Sequence, residues 1–129
     1  MKVAIVGSRP PSLPNRYDLQ KWEDETRSKV YEWVSCLPDH TIIVSGGAKG
    51  VDLYARGAAE RYGFICIEVR PAWKRRDGTQ DKTAGHRRNS VIIDLADEVV
   101  AFWDGRSRGT EDSIVKAEYA RKPVQVIRI

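Results

Sequence analysis

The chain has 129 residues, of which 41% are hydrophobic and 31% are charged. This length suits a single domain, residues 1–129, with its own core, and this composition excludes a disordered chain. No apolar run approaches the ~20 residues of a membrane span, so we expect a cytoplasmic protein without a membrane partner. The net charge of +4 is uneven, because residues 70–88 hold seven basic and two acidic side chains, a net +5, and the rest carries −1.

Five short apolar runs of β-type residues predict five strands. Three of these runs, VAIV, TIIV and VVAFW, are apolar without interruption, as expected for strands that are covered on both faces. In chain order, the predicted strands cover residues 3–6, 41–44, 64–69, 99–103 and 124–129.

Segments of helical period alternate with these strands. Asn15 or Asp18 could cap the first helix and Pro38 would stop it, while Gly63 suits the position just after the second. Alternation of strand and helix along the whole chain predicts an α/β fold with a parallel sheet and right-handed crossovers. The predicted helices cover residues 19–37, 48–62, 82–95 and the segment after Gly109.

Residues 71–83 have no period, which predicts a long exposed loop. Ordering a loop of this length costs conformational entropy, so such loops in compact domains often have a function. This loop holds Trp73 and four of the seven basic residues of segment 70–88. A run of charges is usually a solvated surface, but beside a ligand site it would form a basic patch with an aromatic side chain.

The residues that follow the strands are candidates for a ligand site, because the carboxyl ends of parallel strands meet at one edge of the sheet. Most of these segments hold glycine, whose backbone N–H groups approach a phosphate without interference from a Cβ, and two of them lead into a helix N-terminus. Neither GxxxxGK[ST] nor GxGxxG occurs. The candidate ligand-binding residues are Gly7, Ser8, Arg9, Ser45, Gly46, Gly47, Ala48, Gly50, Asp52, Trp73, Arg88, Asn89, Asp104, Gly105, Ser107, Gly109 and Thr110.

Each candidate also has a simpler interpretation. Gly46 and Gly47 could form a tight turn, and Asp52 could serve only as a favourable charge at a helix N-terminus. Trp103 ends an apolar strand and is expected in the core, whereas Trp73 in its polar loop could stack on a base. The two cysteines and two histidines have no metal-ligand spacing, so we expect reduced thiols, no metal site and a surface position for His86.

Four motifs in order resemble one superfamily: VGSR, VSGGAKGVDLYA, RRNSVI and GTEDSI. Together they resemble the SLOG superfamily, which groups DNA-processing protein A (Smf, DprA) with the LOG phosphoribohydrolases. The ending AFWDGxSxGT is similar to a small stand-alone branch related to YspA and YpsA. The resemblance implies a Rossmann-like open sheet of about five strands, with helices on both faces and a nucleotide-type ligand.

The LOG branch implies a catalytic pair. Its PGGxGTxxE signature supplies a glutamate, and an arginine on another helix assists cleavage of an N-glycosidic bond. Aligning its Gly-Thr on Gly109 and Thr110 places Ser113 where that glutamate would be. Arg88 fits the arginine, so Arg88 with Glu111 is the candidate pair if the protein is an enzyme.

The sequence supports two functions. The first is binding of a nucleotide or nucleotide-derived small molecule, as a sensor or as an N-glycosidic hydrolase, with no further cofactor predicted. The alternative is binding of single-stranded nucleic acid, as in the DNA-processing branch. Aromatic residues on exposed helix faces also make a homo-oligomer an expectation.

Overall fold

The computed structural model describes all 129 residues as alternating strands and helices. The alternation predicted from the sequence is confirmed, since no element is missing or of the wrong type. The elements are β1 (Lys2–Gly7), α1 (Arg16–Ser35), β2 (Ile42–Ser45), α2 (Val51–Tyr62), β3 (Ile65–Glu68), α3 (Ala84–Leu95), β4 (Glu98–Trp103), α4 (Arg108–Tyr119) and β5 (Val124–Arg128).

The five strands form one parallel sheet in the order β3-β2-β1-β4-β5. From β1 the chain proceeds outward through β2 to β3, and then returns to the other side of β1 for β4 and β5. The strand order therefore reverses between β1 and β4, whose register pairs Gly7 with Phe102 at the carboxyl end. In an open α/β sheet, ligands bind beside this reversal.

Two hydrophobic clusters cover the two faces of the sheet. One includes Val3, Ile5 and Phe102 with side chains of α1 and α2, and the other includes Ala4 and Val6 with side chains of α3 and α4. Adjacent residues of β1 belong to opposite clusters because side chains alternate along a strand. This is the predicted Rossmann-like α/β fold, with helices on both faces of the sheet.

All four helices begin at positions that differ from the prediction, the first at Arg16 instead of residue 19 and the third at Ala84 instead of residue 82. The second begins at Val51 instead of residue 48, because Gly47 and Gly50 have left-handed φ angles of 73° and 87° and the turn continues through them. The fourth begins at Arg108, so Gly109 lies inside its first turn. The first helix is capped by Asn15, whose Oδ1 accepts the Tyr17 N–H at 2.8 Å.

The segment predicted as an exposed loop is exposed and also forms a small hairpin, which we call the basic hairpin (residues 73–81). Lys74 and Gln80 form an antiparallel bridge, and the Arg75 N–H donates to the Thr79 carbonyl at 2.8 Å. Asp81 at its base is buried and accepts from the Thr83 hydroxyl at 2.8 Å. The hairpin is therefore an ordered element beside α3.

Some apolar side chains of α3 and α4 face solvent. The helical period assigns Ala84, Val91, Ile92 and Leu95 to the core; Ala84 and Ile92 are buried, but Val91 and Leu95 are 46% and 36% exposed. Tyr119 on α4 is 92% exposed. The homo-oligomer stays a prediction. No helix combines the length and the hydrophobicity that a membrane crossing requires.

Replacing Gly7 with alanine should destabilise the fold, because a Cβ at this position would lie 2.4–2.6 Å from the side-chain atoms of Val51. We expect a loss of about 1–3 kcal/mol in the free energy of unfolding, measured by urea denaturation. Gly109→Ala is the matched control, since nothing lies within 4 Å of its added Cβ. Equal stability of the two variants would contradict this packing argument.

Candidate functional site

A cavity of about 470 Å³ opens at the carboxyl edge of the sheet, where the strand order reverses. It is lined by residues from the segments that follow β1, β2, β3 and β4 and by residues of three helices, α2, α3 and α4. Eleven of the predicted site residues line it: Gly7, Arg9, Ala48, Asp52, Trp73, Arg88, Asn89, Asp104, Ser107, Gly109 and Thr110. The remaining predicted residues, Ser8, Ser45, Gly46, Gly47, Gly50, Gly105 and Glu111, lie outside the lining.

Ser8 lies behind the cavity and connects three segments. Its N–H donates to the Phe102 carbonyl at 3.0 Å, and its Oγ accepts the Asp104 N–H at 3.2 Å. Its own carbonyl accepts the N–H of Val51, the first residue of α2, at 3.4 Å. Ser8 is fully buried and holds the cavity wall in place without facing the cavity itself.

The glycines of the SGGAKG turn are explained by contacts within the protein. A Cβ on Gly46 would lie 2.4 Å from Arg88 Nη1 and 2.9 Å from Asp52 Oδ2, and one on Gly47 would lie 2.8 Å from the Glu68 carboxylate. At Gly50 a Cβ would lie 2.7 Å from the Ser8 carbonyl. These glycines therefore let an arginine and two carboxylates pack against the backbone, and Ala48 is the part of the turn that reaches the cavity.

Asp52 is a buried carboxylate in the first turn of α2 and lines the cavity. Burial raises the pKa of Asp52 to about 6, although the Ala48 N–H, which donates to its Oδ2 at 3.1 Å, and the nearby charge of Arg88 both lower it. A carboxylate already occupies this helix N-terminus, which makes it a poor place for a phosphate.

Arg88 crosses from α3 to the ends of β2 and β3. Its Nη1 donates to the Gly46 carbonyl at 2.7 Å, and its Nε donates to Asn89 Oδ1 at 3.0 Å. Burial lowers the pKa of Arg88, and the charge of Asp52 partly offsets that effect. Arg88 is thus fixed by the protein on one side, and its remaining edge contributes to the cavity lining.

The first turn of α4 presents hydrogen-bond donors to the cavity. The Glu111 N–H is the first to bond within the helix, to the Ser107 carbonyl, so the N–H groups of Arg108, Gly109 and Thr110 have no intrahelical partner. The Ser107 and Thr110 hydroxyls lie 3.2 Å apart at the same turn. Donors and helix dipole together favour an anion here.

Asp104 shapes the turn that leads into α4. Its Oδ1 accepts the Arg106 and Ser107 N–H groups, each at 2.8 Å. Partial burial raises the pKa of Asp104, but these hydrogen bonds outweigh burial and the pKa is lowered overall. Gly105 completes the turn with a φ of 81°, and a Cβ there would contact Arg128. Asp104 is therefore ionised, with Oδ2 free of these bonds.

Trp73 and three unpaired cations form the rim of the cavity. Trp73 is 42% exposed and packs its ring edge near Gly85, which also lines the cavity. Trp103, in contrast, packs partly buried against the core and donates from Nε1 to the Ser107 carbonyl at 3.0 Å. The three cations are Arg9, Lys82 and Arg108, none of which forms an ion pair.

The structure does not bring Glu111 to the cavity, so the predicted pair of Arg88 and Glu111 does not form. Glu111 is exposed, since each residue of a helix turns the side-chain direction by about 100°. The cavity is instead lined by Ser113, whose hydroxyl donates to the Gly109 carbonyl at 3.3 Å.

Comparison of the whole fold with solved structures identifies similar proteins. DNA processing protein A (DprA) from Streptococcus pneumoniae is 26% identical, with a TM-score of 0.69 over 97% of this chain and 49% of that one. DprA from Helicobacter pylori, described with a single-stranded DNA binding mode, is 26% identical, with a TM-score of 0.68 over 98% of this chain and 64% of that one. This chain has a SLOG-type fold.

A more distant SLOG-type fold belongs to the molybdenum cofactor carrier protein MCP from Chlamydomonas reinhardtii, which is 20% identical, with a TM-score of 0.64 over 97% of this chain and 74% of that one. Our SLOG domain spans about half to two thirds of each DprA chain. No protein-family model and no curated protein matches the sequence. The stand-alone branch stays a prediction.

His86 is a site residue of the SLOG domain that the sequence did not reveal. It lines the cavity, and its Nδ1 lies 3.2 Å from Asp112 Oδ2. Asp112 also accepts from Lys116 Nζ at 2.7 Å and from Asn89 Nδ2 at 3.1 Å. A histidine in the first turn of α3 and an aspartate in α4 have no sequence spacing that could signal this contact, which depends on the packing of the two helices.

Asp52→Asn should stabilise the SLOG domain at neutral pH. Because the folded-state pKa lies above the value of 3.8 for the free side chain, ionisation of Asp52 disfavours the folded state. Below about pH 4 the Asp52 side chain does not lower the free energy of unfolding of the wild type. As the pH rises through 6, that free energy falls by up to about 3 kcal/mol, whereas the free energy of unfolding of the asparagine variant does not. Urea denaturation from pH 4 to 8 measures the difference, and a pH-independent difference would refute the assignment.

Proposed function

We propose that this SLOG domain binds a nucleotide or nucleotide-derived small molecule in the cavity. The observation that carries the proposal is the first turn of α4, where three N–H groups without intrahelical partners and the Ser107 and Thr110 hydroxyls meet beside the cavity. A phosphate would accept hydrogen bonds from these donors, and the nearby cations Arg9 and Arg108 would balance its charge.

The other walls of the cavity supply groups that suit the rest of a nucleotide. Asp52 and Asp104 each use one carboxylate oxygen for backbone N–H groups, which leaves the second oxygen available to a ribose hydroxyl. Trp73 at the rim offers an aromatic face for a base. A volume of about 470 Å³ lies within the range of small-molecule sites.

Gly109→Leu tests where the phosphate binds. A Cβ added at this position meets no protein atom within 4 Å, and Gly109 lines the cavity, so a leucine side chain there is expected to extend into the cavity beside the donors of α4. We expect the Kd for AMP, NAD or ADP-ribose, measured by isothermal titration calorimetry, to weaken at least tenfold. The free energy of unfolding without ligand should not fall, since leucine favours a helix more than glycine does.

Gly109→Ala is the graded control and should have a smaller effect than leucine. Undiminished binding by Gly109→Leu would place the phosphate elsewhere. A wild-type protein that binds none of the three probes more tightly than about 1 mM would contradict the proposed function itself.

The second candidate function is binding of single-stranded nucleic acid. The basic hairpin favours it, because Lys74 and Arg76 form no ion pair and lie on the same hairpin as Trp73. A basic surface with an aromatic side chain suits a phosphate backbone with stacked bases. The similarity to Helicobacter pylori DprA, which binds single-stranded DNA, supports the same idea.

Salt dependence separates the two candidates. If the basic hairpin binds single strands, the affinity for an oligo-dT should fall steeply with salt concentration. The double variant Lys74→Gln, Arg76→Gln should then reduce the slope of log affinity against log salt concentration by about 1.4, since each phosphate contact contributes about 0.7. Lys21→Gln with Arg61→Gln removes two exposed charges elsewhere and should leave the slope unchanged. Fluorescence anisotropy from 50 to 300 mM salt (about 0.8 log units) resolves the slopes, and equal slopes for both double variants would exclude this function for the hairpin.

A further inference from the structure

His86 and Asp112 form a contact that the proposed binding of a nucleotide does not use. His86 Nδ1 lies 3.2 Å from Asp112 Oδ2, and the imidazole is largely exposed on the cavity side of α3. Lys116 and the buried Asn89 also bond to the same carboxylate oxygen. The carboxylate is therefore fixed from three directions, which orients the imidazole ring more firmly than a surface ion pair would.

The protonation states follow from these contacts. Partial burial raises the pKa of Asp112, but hydrogen bonds from Lys116, Asn89 and His86 outweigh burial and lower the pKa overall. An ionised carboxylate only accepts hydrogen bonds, so the proton of the neutral imidazole lies on Nδ1 and the lone pair on Nε2. A carboxylate that fixes a histidine tautomer in this way is the usual companion of a histidine general base.

The position of the pair relates it to the anion-binding turn. His86 lies in the first turn of α3, and Asp112 lies two residues beyond Thr110 in α4. Lys116 Nζ also donates to the His86 carbonyl at 2.5 Å, which joins the two helices at this point. The imidazole and the α4 donors therefore line the same cavity, close to a phosphate bound as proposed above.

We propose that His86 is the general base of a hydrolytic reaction in this cavity, oriented by Asp112, and that the bond cleaved is the phosphoanhydride of a nucleoside diphosphate-type ligand. This inference rests on the proposed binding function. His86 would be a catalytic residue, because it contacts the reacting water, and Asp112 a positioning residue that acts through it.

The reaction needs only water as a co-reactant. His86 Nε2 takes a proton from a water molecule while the water oxygen forms a bond to one phosphorus. The bond between that phosphorus and the bridging oxygen breaks, and its electron pair leaves with the second phosphate. The imidazolium then releases its proton to solvent, so two phosphate monoesters are formed and nothing is oxidised or reduced.

Two features favour an anhydride over other bonds. Arg9, Lys82 and Arg108 line the cavity without carboxylate partners, and three cations suit a ligand with two phosphates. A phosphate is also a leaving group that departs without a proton, so a single base suffices. Cleavage of an N-glycosidic bond would instead require a group that supports departure of the nucleobase, and Glu111 lies outside the cavity.

ADP-ribose is the probe for the test, with products separated by liquid chromatography. We expect the wild type to form AMP and ribose 5-phosphate, and His86→Asn to lower the rate about 100-fold or more while the Kd changes less than threefold. His40→Asn is the matched control, because His40 is exposed, is not a lining residue, and has a φ of 67° that asparagine also adopts. Its rate should equal that of the wild type.

The dependence of the rate on pH tests the role of Asp112. Asp112→Asn should change both the rate and its dependence on pH, because the carboxylate that orients the imidazole is lost. Lys116 and Asp112 are the charged groups in contact with His86, so Lys116→Met serves as a second variant that also shifts the profile. An unshifted profile in Asp112→Asn would reduce that residue to a structural role and overturn its part of the inference.

The outcomes are distinguishable from a failure of the proposed function. Binding of ADP-ribose without formation of AMP overturns the inference and leaves the binding function intact. Release of free adenine overturns the choice of bond, and a His86→Asn variant as fast as the wild type overturns the choice of base. Absence of binding by the wild type contradicts the proposed function and this inference together.

Discussion

The site depends on the hydrogen bonds that join the ends of β1 and β4 through Ser8. This one residue bonds to Phe102, to Asp104 and to the first N–H of α2, so the two strand ends and the start of a helix are fixed relative to each other. A serine fits because its N–H, its carbonyl and its hydroxyl all find partners in a place that solvent does not reach. Without these bonds, the loops that follow β1 and β4 would not be fixed relative to each other, and the cavity between them would have no fixed shape.

Charge is distributed across this edge in a way that directs an anion to α4. The N-terminus of α2 is occupied by the buried Asp52, which bonds to Ala48 and lies near Arg88. The N-terminus of α4 has no such carboxylate in its cavity-facing turn, because Asp104 bonds to the preceding turn and Glu111 faces solvent. Two helix ends with the same dipole therefore differ in the ligand they favour, since one already has its negative charge.

The sequence predicted the fold more fully than the site. Uninterrupted apolar strands alternating with helical segments specify a parallel sheet, and the sheet topology then gathers the strand ends at one edge, so most lining residues could be named in advance. The roles of the glycines could not, because a glycine that admits a ligand and one that admits a neighbouring side chain have the same sequence signature. Gly46 shows this, since Arg88 from a distant helix occupies the space beside it. Likewise, Val91 and Ile92 are both predicted to face the core, and only the packing of α3 shows that Ile92 is buried while Val91 is exposed.

The α4 segment differs from the LOG signature that the sequence resemblance implies. Where the resemblance places a glutamate, this chain has Ser113, whose hydroxyl bonds to its own helix and is too short to extend across the cavity. The neighbouring Glu111 cannot replace that glutamate, because the helix directs it to solvent. The third acidic position, Asp112, faces α3 and holds His86. The cavity is thus lined by an ionisable side chain, that of His86. This residue belongs to α3 and is held in place by Asp112 of α4, so a comparison of α4 sequences alone would not reveal it.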